Sequence, residues 1–138
     1  AAGASALATA VNSMSDGDAQ KLYDASIMTV ESLLERGATP KGRKAIAAEA
    51  GVEESSVLKW DNELDLARVK GIGAKYSALL EAAGVDTVPE LAQRNPANLQ
   101  MKLAEVNATA GIVKDAPSEK QVANWVAQAK DLPRVITY

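Results

Sequence analysis

The sequence predicts an all-α protein, a single compact domain in which two copies of one helical unit share a core. Three observations support this prediction. The chain aligns with itself at an offset of 58 positions, helix start and stop signals recur at short intervals, and no segment alternates like a strand. At 138 residues, of which 47% are hydrophobic, the chain suits one core better than two ordinary domains.

The chain divides into three segments. Residues 1–10 are Ala-rich and form an N-terminal helix or a frayed segment. Residues 11–67 form the first repeat, and residues 68–138 form the second repeat with a C-terminal tail. No linker rich in Pro, Gly or Ser separates the repeats, so we expect them to share one core. The tail from Leu132 to Tyr138 contains proline and is expected to be extended.

The two repeats share a hydrophobic frame that aligns without gaps over its first part. The pairs at the offset of 58 include Val11 with Val69, Leu22 with Leu80, Ala25 with Ala83, Ile27 with Val85, Thr29 with Thr87 and Leu33 with Leu91. Farther along, the register slips and Trp60 pairs with Trp125. Both tryptophans lie on apolar helix faces, so we interpret them as core anchors rather than base-stacking groups.

Capping residues mark the helix boundaries. Thr39-Pro40 and Asn95-Pro96 each place a cap residue before a proline at the first helical position. Gly51 and Gly84 stand where helices end. Two segments have the spacing of a capping box, Thr87–Glu90 and Ser118–Gln121.

The second repeat begins with two glycines on either side of one aliphatic residue, in a turn between two helical patterns. Gly71 and Gly73 can adopt backbone angles closed to other residues and leave the amides of the turn unshielded, while Ile72 anchors the turn in the core. This arrangement looks like a helix-hairpin-helix signature. Its N–H groups and the following helix N-terminus suit a phosphate oxygen, with Lys70 and Lys75 beside it. Such contacts do not read bases, so binding would be independent of sequence.

The first repeat has lost the glycine turn. Ser13-Met14-Ser15 stands in its place, and Asp16 and Asp18 lie where a phosphate would approach. Acidic side chains stabilise the first turn of a helix but repel an anion, so we interpret this degenerate hairpin as structural. The spacing supplies too few further oxygen ligands for calcium.

A basic helix start is the second candidate for anion binding. Lys41, Arg43 and Lys44 oppose the helix dipole in the first turns of the helix, and a bound anion would offset that effect. The alternative is a solvated helix start whose charges aid solubility.

Composition restricts the function further. His and Cys are both absent, which excludes Ser-His and Cys-His nucleophilic chemistry, disulfides and thiolate metal sites. We therefore expect neither metal nor cofactor. The net charge of −3 argues against a generally basic nucleic-acid surface. No stretch has the ~20 apolar residues of a membrane span. We expect a cytoplasmic protein, with export left open because the Ala-rich start also suits the remainder of a processed leader.

A family resemblance rests on five stretches: Gly37–Lys44, Val69–Gly73, Ala82–Val88, Arg94–Pro96 and Pro133–Tyr138. In these stretches the chain resembles a bacterial family of unknown function built on paired helix-hairpin-helix units. The resemblance covers most of the chain and implies this fold and a nucleic-acid role, without a known activity. The chain departs from the family pattern in residues 1–20, where the family commonly has a glycine hairpin.

Two functions follow from these observations. The first is a non-enzymatic module that binds the phosphate backbone of DNA or RNA weakly and without sequence preference. Its expected contacts are Lys70, Gly71, Ile72, Gly73 and Lys75, with Lys41, Arg43 and Lys44 as further candidates. The alternative is a protein-interaction or scaffold module, favoured by the acidic net charge and the altered first hairpin. An enzyme is a third hypothesis, for which the chain shows no recognisable catalytic spacing.

Overall fold

The computed structural model describes residues 7–138, and every regular element in that range is helical, which confirms the all-α prediction there. The expectation for residues 1–6 lies outside this range, and residues 7–10 are helical. The helices that follow are α1 (Asp16–Asp24), α2 (Val30–Arg36), α3 (Pro40–Ala50), α4 (Glu54–Leu66), α5 (Ala74–Ala82), α6 (Val88–Ala92), α7 (Pro96–Ala110) and α8 (Glu119–Asp131).

The chain forms two compact units. Among the described residues, unit 1 contains residues 7–65 and 134–138, and unit 2 contains residues 66–133. The expectation of one shared core is thereby corrected, because the buried hydrophobic residues form two separate clusters. Each repeat supplies its own tryptophan and its own aliphatic side chains, and these suffice for a core of its own. The last five residues, which the sequence assigned to the second repeat, belong to unit 1 and are called the terminal segment (residues 134–138) below.

Both tryptophans are core residues, as the sequence predicted. Trp60 is 2% exposed and lies in the unit 1 cluster, and Trp125 is equally buried in the unit 2 cluster. In unit 2 the ring of Tyr76 packs against Trp125, with the ring centroids 5.1 Å apart and the planes tilted by 58°. This geometry is typical of a favourable aromatic pair. Neither indole is placed to stack on a base.

The backbone hydrogen bonds repeat along the chain at the same offset as the hydrophobic frame. In each unit one bond closes the turn before α1 or α5, and a second bond closes the end of that helix. The turn bonds run from Met14 N–H to Val11 O in unit 1 and from Ile72 N–H to Val69 O in unit 2. The bonds at the helix end run from Ile27 N–H to Leu22 O and from Val85 N–H to Leu80 O. The two repeats therefore share local backbone structure as well as hydrophobic residues.

Most of the predicted helix boundaries are confirmed. Pro40 and Pro96 begin helices whose N-caps are Thr39 and Asn95, and Gly51 ends α3 in the left-handed region. At the end of α5 the C-cap is Ala83, and Gly84 follows it with φ 90°. Ser118 and Gln121 form the predicted capping box. At the other predicted box Thr87 caps the N–H of Glu90, but the Glu90 carboxylate accepts from the Thr87 hydroxyl.

Candidate functional site

The turn between α4 and α5 is called the Gly71 hairpin (residues 69–76) below. Ile72 is buried in the unit 2 core, which confirms its predicted role as the anchor of the turn. Gly71 has φ 98°, a conformation that favours glycine. A Cβ at this position would also lie 3.0 Å from Nε1 of Trp125. The glycine is therefore required by both the backbone angle and the neighbouring indole.

Helix α8 holds the Gly71 hairpin through one side chain. Oε1 of Gln128 accepts from the N–H of Lys70 at 2.8 Å, and Nε2 of Gln128 donates to the Lys70 carbonyl at 3.1 Å. Nε2 also donates to Oδ1 of Asn124 at 2.6 Å. The Lys70 amide is thus used within the protein and is not a phosphate donor, while the residue itself is exposed.

The N-terminus of α5 lacks a side-chain cap. In the described part of the chain, six helices begin at a Ser, Thr or Asn whose side chain accepts from an amide of the first turn. Helix α5 instead begins at Gly73, which has no side chain to do so. Its first intrahelical bond runs from Ser77 to Gly73, so the amides of residues 74–76 precede the helical ladder. Gly73 and Lys75 are exposed, and no atom lies within 4 Å of a Cβ built at Gly73.

The corresponding turn of unit 1 is called the Ser13 hairpin (residues 11–18). Met14 is buried where Ile72 lies in the other repeat, and the Ser15 hydroxyl accepts from the N–H of Asp18 at 3.1 Å. The Ser13 hydroxyl donates to Glu63 on α4. Asp16 and Asp18 occupy the first turn of α1, as the sequence predicted. The capped amide and the two carboxylates leave this hairpin poorly suited to an anion.

The basic helix start differs from the prediction at one residue. Lys41 and Lys44 are exposed on α3. Arg43 is only 3% exposed, and its guanidinium donates to two carbonyls, Gly37 O at 2.9 Å and Thr137 O at 2.8 Å. Because its donors are directed into the protein, Arg43 is corrected from a nucleic-acid contact to a residue that binds the terminal segment.

The two glycines of this stretch are required by close packing. A Cβ at Gly37 would overlap the carboxylate of Asp61, and a Cβ at Gly42 would overlap the carbonyl oxygen of Arg36. Neither glycine has a positive φ, so the reason is space rather than backbone conformation. The stretch Gly37–Lys44, which carries part of the family resemblance, therefore serves the packing of unit 1.

Asp61 is a fully buried acid beside this stretch. Neither of its carboxyl oxygens has a hydrogen-bond partner. Burial raises the pKa of Asp61 from 3.8 to about 8, the positive charge of Arg43 opposes that rise, and the charge of Asp65 adds to it. The side chain is therefore predominantly protonated at pH 7.

Sequence reasoning missed Gln128 and Asp61. Each lies on the last helix of its unit. Gln128 bonds Lys70 and Asp61 packs beside Gly37, and both neighbours are distant in sequence, so no local motif marks either residue. One signal was present for Gln128, since it follows Trp125 by three positions just as Glu63 follows Trp60. In both units this position faces the hairpin, through Ser13 in unit 1 and Lys70 in unit 2.

An open groove lies on unit 1 beside the terminal segment. Its volume is about 420 Å³, and it is lined by Pro40, Arg43, Glu54, Ser55, Leu58 and Tyr138.

Within residues 7–138, no set of three or more acidic side chains is placed to hold a metal ion. No helix in the same range is long and apolar enough to cross a membrane.

The model of a family described as "Domain of unknown function (DUF4332)" matches residues 12–132. Neither a curated protein nor a solved structure matches the chain at a significant level. The family match covers both units apart from the chain ends, in agreement with the resemblance to a family of unknown function. The protein therefore belongs to the family described as Domain of unknown function (DUF4332).

Proposed function

We propose that the protein is a non-enzymatic helix-hairpin-helix module that binds the phosphate backbone of DNA or RNA weakly and without sequence preference. The observation that carries the proposal is the uncapped start of α5. Gly73 leaves the first amides of this helix without a side-chain acceptor, and Lys70 and Lys75 are exposed on either side of it. A phosphate oxygen would accept from these amides and gain from the helix dipole.

The geometry of the Gly71 hairpin supports a preformed site. Gln128 bonds both backbone groups of Lys70, and Ile72 is buried, so the turn keeps its shape without a ligand. Binding would then require little ordering of the protein. The contacts are limited to one hairpin and two lysines on a chain of net charge −3, so micromolar or weaker affinity is expected.

Titration of a fluorescent random-sequence DNA duplex and its RNA equivalent, followed by anisotropy, tests the proposal. With about two phosphates neutralised, the logarithm of the binding constant should fall with the logarithm of salt concentration with a slope of about −2. Lys70→Glu should weaken binding to all sequences alike and reduce the slope by about 1. Lys102→Glu, an equal charge change at an exposed position of α7, is the matched control. Absence of binding at ~50 mM salt would refute the proposal.

The lysines of α3 are tested separately. Lys41 and Lys44 are exposed, but Thr39 already caps the N–H of Gly42, and Arg43 is directed inward. We therefore expect Lys41→Glu and Lys44→Glu to change affinity less than Lys70→Glu. An equal effect would assign a separate binding site to the start of α3.

The alternative is a protein-interaction or scaffold function. The capped and acidic Ser13 hairpin supports it, because one of the two hairpins then serves shape alone. Capture of a defined protein partner that is unchanged by Lys70→Glu, together with no duplex binding, would favour this alternative.

A further inference from the structure

The terminal segment is held on unit 1 by a set of specific contacts. Ile136 is 1% exposed. The N–H of Thr137 donates to Ala38 O at 2.8 Å, and Nη2 of Arg43 donates to Thr137 O at 2.8 Å. Unit 1 therefore recognises both main-chain groups of one residue and buries the side chain before it, which is how proteins commonly bind an extended peptide.

The last residue adds a side-chain contact. The Tyr138 hydroxyl donates to Oδ1 of Asn62 on α4 at 3.0 Å, although the residue is 57% exposed. The segment thus presents an aliphatic side chain, a residue bound through its main chain, and a phenol. These side-chain contacts make recognition depend on the sequence of the segment, which main-chain hydrogen bonds alone would not do.

The site on unit 1 is prepared for its occupant. Arg43 is buried, and its Nη1 donates to Gly37 O at 2.9 Å, within unit 1 itself. This bond directs the other arm of the guanidinium toward the segment. An already ordered donor loses little entropy when it binds a carbonyl, and a charged donor makes a stronger bond than a neutral one.

The segment is joined to the rest of the chain by irregular backbone. Residues 133–138 have no regular structure, so no helix would have to unfold for the segment to leave. Within unit 2, Arg68 donates to the carbonyl of Pro133 at 2.9 Å, which holds the chain just before the segment begins. Pro133 restricts the backbone at this junction.

We propose that unit 1 is a receptor for a segment of the form Ile-Thr-Tyr, occupied by residues 134–138 of the same chain, and that the same segment of a second copy binds there when its own is displaced. Exchange of an identical segment between copies needs no new contacts. The attached segment competes at an effective concentration of about a millimolar, so binding between copies is weak in the native chain. This proposal does not depend on nucleic-acid binding by unit 2.

A labelled peptide with the sequence of residues 132–138 tests the receptor. The full-length Ile136→Asp chain has a disabled segment and should bind the peptide saturably in an anisotropy titration, at least tenfold more tightly than the native chain does. Peptides carrying Ile136→Asp or Thr137→Pro should bind at least tenfold more weakly, since the first loses the buried side chain and the second the N–H donated to Ala38. Equal binding by the native and variant chains, or no binding to a folded variant chain, overturns the proposal.

Full-length Thr137→Pro is a second receptor in case Ile136→Asp disturbs the fold. If circular dichroism shows that both variant chains unfold unit 1, the segment is an integral part of that unit and the proposal is wrong, because a separable ligand leaves its receptor folded.

Complementation between copies tests the exchange. Full-length Arg43→Met keeps its segment but loses the receptor bond, so mixing it with Ile136→Asp should produce a heterodimer in analytical ultracentrifugation. Replacing the Arg43→Met chain by the Arg43→Met, Ile136→Asp double variant should abolish it. Absence of the heterodimer at concentrations above the measured peptide Kd would overturn the exchange.

Discussion

The Gly71 hairpin and the Ser13 hairpin are two versions of one turn with different surfaces. Both close with the same backbone bond, from residue 14 to residue 11 and from residue 72 to residue 69. They differ at the helix N-cap, which is Ser15 with a bonded hydroxyl in one hairpin and Gly73 without a side chain in the other. One side chain at the N-cap thus decides whether the helix amides are satisfied internally or left for a ligand.

The two turns also differ in how they are held. Gly71 has φ 98°, whereas Ser13, which aligns with it, lies outside the positive-φ region. Gln128 bonds the backbone of the Gly71 hairpin, and the aligned Glu63 bonds only the Ser13 side chain. The Gly71 hairpin is thus held through its backbone and the Ser13 hairpin through a side chain.

The largest expected difference between the units is in the pH dependence of their stability, and it comes from Asp61. Asp61 follows Trp60 in unit 1, whereas Val126, which does not titrate, follows Trp125 in unit 2. Burial raises the pKa of Asp61 to about 8 in the folded protein, above the ordinary value of 3.8. Between these values the folded state holds a proton that the unfolded state has lost, so stability falls as pH rises. Asp61→Asn should remove this slope, which amounts to at most about 1.4 kcal/mol per pH unit.

Urea unfolding from pH 5 to pH 8 measures the effect of Asp61. In a Trp125→Phe background, Trp60 is the fluorescent reporter of unit 1. The stability of unit 1 should depend more strongly on pH in the native chain than in Asp61→Asn. The same pH dependence in both chains would contradict the raised pKa of Asp61. The matching Trp60→Phe background reports unit 2, where Asp61→Asn should leave the pH dependence unchanged.

Gly71→Ala should be the next largest effect and should act on unit 2. An alanine at φ 98° is strained, and its Cβ would press against Trp125, so we expect a loss of about 1–3 kcal/mol in the unfolding free energy. Ser13→Ala, at the aligned position, should lose about 1–3 kcal/mol in unit 1, because it removes the hydrogen bond to the buried Glu63, whose other carboxyl oxygen has no partner. Urea unfolding followed by the tryptophan of each unit should show a loss in unit 2 for Gly71→Ala and in unit 1 for Ser13→Ala, and a Gly71→Ala chain with unchanged stability of unit 2 would contradict the requirement for glycine.

Gln128→Ala should loosen the Gly71 hairpin. It removes two hydrogen bonds to the Lys70 backbone, so a loss of about 1–2 kcal/mol in the unfolding free energy is expected. Amide hydrogen exchange should show faster exchange at Lys70, whereas the amide of Met14 in unit 1 should keep its rate. An unchanged rate at Lys70 would remove the role assigned to Gln128.

Exchange of the N-caps should give the smallest effects on stability and the clearest effect on binding. Gly73→Ser introduces the cap of the Ser13 hairpin and should stabilise α5 by a few tenths of a kcal/mol, because no atom obstructs a Cβ there. The added hydroxyl competes for an amide, so duplex affinity should fall. Gly73→Ala, which adds a Cβ without an acceptor, is the control, and an equal loss of affinity in both variants would indicate obstruction by the Cβ rather than capping.

The sequence alone determined the local structure of this protein. The helix starts at Thr39 and Asn95, the turn at Gly71 and the burial of both tryptophans followed from residues that act on near neighbours in the chain. Capping, glycine conformation and helical periodicity all depend on a few consecutive residues, so a single sequence displays them. The match between the repeats displayed the shared frame for the same reason.

Only the tertiary structure decided how the charged residues are used. Arg43 has the sequence surroundings of an exposed base, yet it is buried because its partner, Thr137, arrives from 94 residues away. The position of Asp61 beside Gly37 and the hydrogen bond between Gln128 and Lys70 also join residues that are distant in sequence. The division of the hydrophobic residues into two cores likewise became visible only in the folded chain. Arg43 is buried where distant carbonyls accept from it, and Asp61 is buried where desolvation favours its neutral form, and both environments exist only in the folded chain.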